Sequence, residues 1–268
     1  MSTTLEVLFT PAEYAHLGRR DLSKTVAVVF DVLRATSTII TALANDAAAI
    51  LPVAEIAEAL RIRRRRPEVL LAGERDGVRI KSDLTGSIDF DLGNSPREFV
   101  TEKIIDRTIV LTTTNGTRAL QACAAAKTVL VGSLLNLTAL ADFIEREHPI
   151  RLLLVCSGTL DQAAYEDVIA AGALCDSIWP QYSSGMVADS VRIARRLFRL
   201  EQKDLAAAMA QSRNGRRLMA HPDLAGDVPF CAQRDLFRLC PELGKDGVIR
   251  AQTNTAEALS QPHSRRAG

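Results

Sequence analysis

Aromatic residues make up 4% of this 268-residue chain, and there are only four histidines. His16, His148, His221 and His263 all lie outside the strand-end turns described below. No Ser-His-Asp ordering stands out, so no histidine is assigned a catalytic role. The five cysteines, Cys123, Cys156, Cys175, Cys231 and Cys240, are odd in number and widely spaced. Without a CxxC pair or a zinc-type Cys/His spacing, they read as reduced, buried thiols. No apolar run approaches the roughly 20 residues that span a bilayer. The first ten residues lack a basic start and are interrupted by Glu6, so no secretory signal is expected. Net charge is nearly absent as well: 33 Lys plus Arg against 32 Asp plus Glu leave +1. That balance gives no global attraction to nucleic acid or to an anionic membrane. The expectation is a cytoplasmic protein with neither partner, whose anion sites are local; a homo-oligomer is left open. Neither a Walker P-loop nor a GxGxxG after a strand occurs, which weakens a dinucleotide-binding reading.

Apolar residues are plentiful, at 47%, enough for a sizeable core. The length suits one large domain or two intimately joined ones. Runs rich in β-branched residues at Thr25–Phe30, Ala49–Val53, Val69–Leu71, Thr108–Leu111, Thr128–Val131 and Arg151–Val155 read as buried strands. Between them lie helical patterns near Thr36–Leu43, Ala54–Arg66, Ser95–Ile105, Thr117–Ala126, Leu137–Glu147 and Asp161–Trp179. This alternation predicts βαβ units and an α/β fold, its mostly parallel sheet covered on both faces. Thr36–Leu60 and Asn115–Leu140 each run from a hydroxyl-rich turn through an Ala-rich helix and a short strand into a second helix. They suggest an internal duplication of βα units, in halves of about 25–66 and 108–147, with chance similarity as the alternative. A C-terminal helical part covers 186–221, its Arg192, Arg195, Arg196 and Arg199 read as solvated. VPFCA and DGVIRA, within 227–251, read as strand-like pieces that could add an edge. Residues 1–252 form the expected domain, and the polar 253–268 a flexible tail.

In an open parallel sheet, ligands gather at the carboxyl ends of the strands. The first such end holds Asp31, whose carboxylate suits a hard cation such as Mg²⁺ or could act as a nucleophile. Arg34 follows with a planar fork matched to phosphate or carboxylate. Thr36 and Ser37 stand where a helix should begin, as potential caps. An ordinary cap beside a surface Arg–Asp pair is the plainer reading. The second end is Thr112-Thr113-Thr114-Asn115-Gly116-Thr117-Arg118, a row of donors and a plausible phosphate cradle. Gly116 lets the backbone approach a ligand, and Arg118 could reach across the mouth. The plainer alternative is a Thr-rich turn capping its own helix. The third end is Ser157-Gly158, followed on the next helix by Glu166 and Asp167. Adjacent helix residues point about 100° apart, so one of those acids is expected to face the mouth; dipole complementarity alone would also place acids there. Glu74, with Arg75 beside it, ends another short strand and is a second candidate metal ligand. Asp76, Asp83 and Asp89, in and before the long polar loop, are read as solvated. The RIRRRR run at Arg61–Arg66 is read as a surface face.

These stretches together resemble the 2-phosphosulfolactate phosphatase family (the ComB family) of coenzyme M biosynthesis. The matching segments are VVFDVLRATSTIITAL at Val28–Leu43, LAGERDGVRI at Leu71–Ile80, FDLGNSPREF at Phe90–Phe99 and VLTTTNGTRAL at Val110–Leu120. VCSG at Val155–Gly158, YEDVIAAGAL at Tyr165–Leu174 and SRNGRRL at Ser212–Leu218 also match. The resemblance implies a three-layer α/β/α fold and a Mg²⁺-dependent acid phosphatase acting on the phosphate ester of a small 2-hydroxy acid. Its small anionic substrate would carry phosphate, carboxylate and sulfonate, about four negative charges. Arg34, Arg75, Arg118, helix N-termini and Mg²⁺ could together meet them. The metal ligands rank Asp31, Glu74, then Glu166 or Asp167. The substrate contacts would come from Thr36, Ser37, Thr113, Thr114, Asn115, Gly116, Thr117, Ser157 and Gly158. Catalysis would rest on Asp31, Arg34 and Arg118. Attack by water and an aspartyl-phosphate at Asp31 both stay open, with water favoured because no DxDx[TV] follows the strand. The rival reading is a non-catalytic α/β module that binds a phosphorylated metabolite.

Overall fold

The computed structural model describes residues 2–252; the expected tail at 253–268 lies outside them. Eleven strands form one sheet: β1 (Thr4–Leu8), β2 (Thr25–Phe30), β3 (Ala49–Pro52), β4 (Leu70–Arg75), β5 (Val78–Arg79), β6 (Thr108–Thr112), β7 (Thr128–Gly132), β8 (Arg151–Cys156), β9 (Met186–Val187), β10 (Pro241–Leu243) and β11 (Ile249–Ala251). Their order is β5-β4-β6-β3-β11-β10-β7-β2-β8-β1-β9. The fold is α/β, with a large, mostly parallel sheet flanked by helices. Along β2, Val26, Val28 and Phe30 enter one apolar cluster while Ala27 and Val29 enter another. Side chains alternate across a strand, so both faces of β2 are covered and the strand reads as a continuous apolar run. One cluster includes residues of the helices Leu137–Glu147, Tyr165–Ser177 and Asp189–Glu201. The other includes residues of Ala35–Ala44 and Gly116–Ala122.

Two parallel blocks, β7-β2-β8-β1-β9 and β4-β6-β3, are joined by the antiparallel hairpin of β10 and β11. Single residue pairs, Glu242 with Leu130 and Ile249 with Ile50, make the two joints. Three antiparallel steps therefore separate the blocks, and they run in opposite senses. The carboxyl ends of β2 and β6 therefore point to opposite ends of the sheet, yet residues that follow both strands line one cavity. Registers sharpen this: Phe30 of β2 pairs with Gly132 and Cys156, and Gly73 of β4 with Thr112 of β6. Asp31 is thus level with Ser157, and Glu74 with Thr113.

Several expectations are corrected. The hairpin strand β11, read as an edge, lies in the middle of the sheet. VPFCA is not a strand: Asp227–Cys231 is a helical turn that buries Val228 and Cys231, three residues apart on one face. Ser95–Ile105 breaks into a 3₁₀ turn at Pro96–Glu98 and a single α-turn at Thr101–Ile104. The region after Met186 is β9 and three helices, because Asp204 and Ser212 each cap a new start by accepting the N–H of Ala207 and Gly215 at 2.9 Å. The stretches 25–66 and 108–147 share a strand-helix-strand-helix order; a shared order does not establish a duplication. Among the described residues no helix is long and apolar enough to cross a membrane.

Candidate active site

The strand ends meet around a cavity of about 230 Å³. Asp31 and Arg34 contribute to it after β2, Glu74 from β4, and Asp76 with Gly77 from the turn that joins β4 to β5. Thr113, Thr114 and Asn115 follow β6, Asn94 comes from the long polar loop, and Thr159 from beyond β8. Arg213, Asn214 and Arg217 add the helix Arg213–Met219.

Asp31 is 9% exposed. Its Oδ1 accepts the Ala35 N–H at 3.2 Å, and its own N–H donates to Thr36 Oγ1 at 3.0 Å. Burial, reinforced by the charges of Glu74 and Glu166, pushes its carboxyl up to about 6, against the opposing pull of the Ser157 hydroxyl and the Ala35 N–H. Gly116 is what lets the next helix close on Asp31. A Cβ there would stand 2.7 Å from Ala35 Cβ and 2.8 Å from Asp31 Oδ2. The glycine serves helix packing rather than close approach of the backbone to a ligand.

Arg34 is buried, its Nη1 donating to Asp227 Oδ2 and its Nη2 to the Gly77 carbonyl, each at 2.7 Å. Asp227, fully buried, also accepts from Ser95 Oγ at 2.6 Å and Arg97 Nε at 2.8 Å. Arg34 is therefore a held cation rather than half of a surface pair. Glu74 ties two loops together: Oε1 accepts from the N–H and hydroxyl of Thr114 at 2.9 Å, and Oε2 from the Gly77 N–H at 2.7 Å. Asp76 and Gly77 form the two-residue loop of the β4–β5 hairpin, both at positive φ, as an Asp-Gly turn of this kind requires.

The acids of the helix Tyr165–Ser177 both turn inward. Asp167 accepts from the Val32 N–H at 2.8 Å and from Ser157 Oγ and the Gly158 N–H at 3.2 Å. Burial raises it well above the usual carboxylate range, with Glu166 and Asp31 adding to the effect. Glu166 Oε1 accepts from Asn214 Nδ2 at 2.6 Å, while its buried Oε2 has no partner. Burial raises its carboxyl too, against the Asn214 hydrogen bond.

Of the residues expected from sequence, Asp31, Arg34, Glu74, Thr113, Thr114 and Asn115 line the cavity. Thr36 and Ser37 are wholly buried and serve the chain: Thr36 takes the Asp31 N–H, and Ser37 Oγ donates to the Val32 carbonyl. Arg75 faces away and donates to the carbonyls of Glu74 and Ala54 and to Thr112 Oγ1. Thr117 bonds back to Thr113, and Ser157 and Gly158 brace Asp167. Arg118 is exposed and outside the lining, although its charge is felt by Tyr14. Asp76 is exposed as expected, yet stands on the cavity rim. Nothing local in the sequence marks Arg213, Asn214 and Arg217 beyond the SRNGRRL match, and Asp227 has no local signal at all.

The residues can accommodate a hard cation. Buried carboxylates raise one another here, and one oxygen of Glu166 is unpartnered. No group of three or more His, Cys, Asp or Glu side chains is arranged for a metal among the described residues. Mg²⁺ needs only one or two protein carboxylates beside water and substrate oxygens.

A family model described as 2-phosphosulpholactate phosphatase matches residues 12–246. A probable 2-phosphosulfolactate phosphatase of Pseudothermotoga lettingae is 38% identical over 247 residues, covering 92% of this chain and 98% of the relative. One from Caldanaerobacter subterraneus is 36% identical, covering 91% and 97%, and one from Thermotoga petrophila is 39% identical, covering 81% and 88%. With a model matched over most of its length and relatives aligned nearly end to end, the chain belongs to the 2-phosphosulfolactate phosphatase family, a family of phosphoric monoester hydrolases.

Proposed function

We propose that this chain hydrolyses 2-phosphosulfolactate to sulfolactate and phosphate, with Mg²⁺ as its cofactor. The observation that carries the reading is one cavity that joins the buried Asp31 to Arg34 and to the Thr113–Asn115 turn. Its volume of about 230 Å³ lies below the ~300–1,000 Å³ of pockets for drug-sized ligands, which suits a small ester better than a dinucleotide.

Asp31, with Glu74 as the next carboxylate on the cavity wall, would hold the metal, which supplies Lewis-acid stabilisation of phosphoryl oxygens when bound; Glu166 and Asp167 are buried outside the lining. Arg34, gripped by Asp227 and the Gly77 carbonyl, keeps N–H donors for a phosphoryl oxygen and does not have to reorganise as charge develops. The turn after β6 adds the polar groups of Thr113, Thr114 and Asn115, with Thr114 fixed by Glu74. Phosphate-monoester hydrolysis is among the slowest uncatalysed reactions, so such preorganised charge must contribute roughly 20 kcal/mol of barrier lowering. Water is the favoured nucleophile. One Asp31 oxygen accepts the Ala35 N–H and the other stands 2.8 Å from where a Cβ on Gly116 would be, a confinement that suits a fixed ligand better than an attacking group.

The test is phosphate release from a panel of small phosphorylated 2-hydroxy acids, with Mg²⁺ and with chelator. Release from 2-phosphosulfolactate that stops in chelator, and that Asp31→Asn abolishes without unfolding, is the expected result. Phosphate binding indifferent to Mg²⁺, with no release from any ester, would instead mark a non-catalytic binding module.

A further inference from the structure

We propose that Arg217 recognises a second anionic group of the substrate, on the carbon skeleton remote from the ester, and so determines specificity. The inference rests on the phosphatase reading of the same cavity. Arg213 and Arg217 are four residues apart on one helix and therefore share a face, and both line the cavity. Arg213 is engaged: its Nη2 donates to Gln162 Oε1 at 2.5 Å and its Nη1 to the Thr159 carbonyl at 3.4 Å. Arg217 makes no hydrogen bond or ion pair among the described residues and keeps its donors unspent.

The exposed Arg217 side chain lies beside Gly77. A Cβ on that glycine would stand 3.6 Å from Arg217 Cζ and Nε. The Gly77 carbonyl is also the anchor of Arg34 Nη2. Two guanidinium groups therefore flank one residue of the hairpin turn and line the same cavity. Asp227 and the Gly77 carbonyl hold Arg34, whereas Arg217 forms no ion pair among the described residues and acts on the buried Glu166 only through its charge. Like charges placed together beside a small cavity suit a guest with more than one anionic group. Arg34 follows Asp31 by three residues and is tied to the Gly77 carbonyl, so the phosphoryl group belongs to the Asp31–Arg34 side. The fork of Arg217 then meets a carboxylate or sulfonate through paired N–H···O bonds.

Four esters separate the possibilities: ethyl phosphate, 2-phospholactate, the phosphate ester of 2-hydroxyethanesulfonate, and 2-phosphosulfolactate. Arg217→Ala is expected to lower kcat/KM on esters with a remote anion about 10- to 100-fold more than on ethyl phosphate. Whether the carboxylate or the sulfonate ester suffers more identifies the group that is read. Arg217→Lys, which keeps the charge but not the fork, should recover part of the loss. Equal losses on all four esters, or less than a twofold loss on the anion-bearing ones, would overturn the proposal. A wild type that hydrolyses none of the four refutes the phosphatase reading instead. The Tm rise caused by sulfolactate then decides for Arg217: a rise absent in Arg217→Ala supports the subsite, and an equal rise in both proteins overturns it.

Discussion

Gly116→Ala adds one methyl group at the point where the helix after β6 meets Asp31. That Cβ would lie 2.7 Å from Ala35 Cβ and 2.8 Å from Asp31 Oδ2, against about 3.5–4.0 Å for a comfortable non-bonded contact. Relief requires a shift of roughly 1 Å, taken by the helix or by Asp31. The φ of Gly116 is not positive, so alanine itself fits the backbone and even gains about 0.4–1 kcal/mol from reduced chain entropy. Overpacking costs about 1–3 kcal/mol, which leaves a net destabilisation of roughly 1–2 kcal/mol. At about 2–4 °C per kcal/mol, Tm should fall by only several degrees. Activity should fall far more, because displacing a positioned group by about 1 Å can cost 100-fold. The assay pairs a thermal melt with phosphate release from 2-phosphosulfolactate at a temperature where the variant is fully folded. Gly18→Ala is the control, since a Cβ there meets nothing within 4 Å. A Gly116→Ala protein that keeps activity within threefold of wild type would refute the packing argument. So would one whose activity loss merely tracks unfolding.

Three other outcomes are expected. Asp227→Asn leaves the buried Arg34 without its counterion, side-chain exposures being 3% and 0%, and should cost about 3–5 kcal/mol in urea unfolding; a loss under 1 kcal/mol contradicts that reading. The Tyr14 hydroxyl donates to the Ser157 carbonyl at 3.1 Å, and burial pushes it up to about 12. The unfolded chain releases that proton first, near pH 10, so its contribution is full below pH 10 and lost as the pH rises through about 12. Tyr14→Phe should flatten the alkaline fall in stability in part, because burial also raises Tyr182; an identical slope in both proteins refutes it. Glu74→Ala unties the Thr114 turn from Gly77 and should raise KM at least tenfold with little change in far-UV dichroism; an unchanged KM would show that the clamp does not shape the cavity.

The site was legible where chain chemistry is local. Asp31, Glu74 and the Thr113–Asn115 turn each follow an apolar strand, and strand ends are where such sheets present polar groups. Which neighbouring side chain faces the cavity was not legible. Glu74 and Arg75 are consecutive on one strand, so they point to opposite faces and only Glu74 enters the site. Their position after β2 makes Thr36 and Ser37 potential caps facing an anion. Each step of a helix turns the side chain by about 100°, and these two turn into the core instead.

Periodicity and composition alone determined that this is an α/β chain with a mostly parallel sheet, because burial on both faces leaves uninterrupted apolar runs, Thr25–Phe30 among them. They also determined which turns carry polar chemistry. Only the tertiary structure decided that the β10–β11 hairpin splits the sheet, that Asp227 reaches Arg34 across 193 positions, and that Arg217 comes beside Gly77. Local patterns specify whether a residue is buried and how its element repeats. They do not specify which distant segment supplies the matching charge, since that depends on how twist and packing bring remote surfaces together.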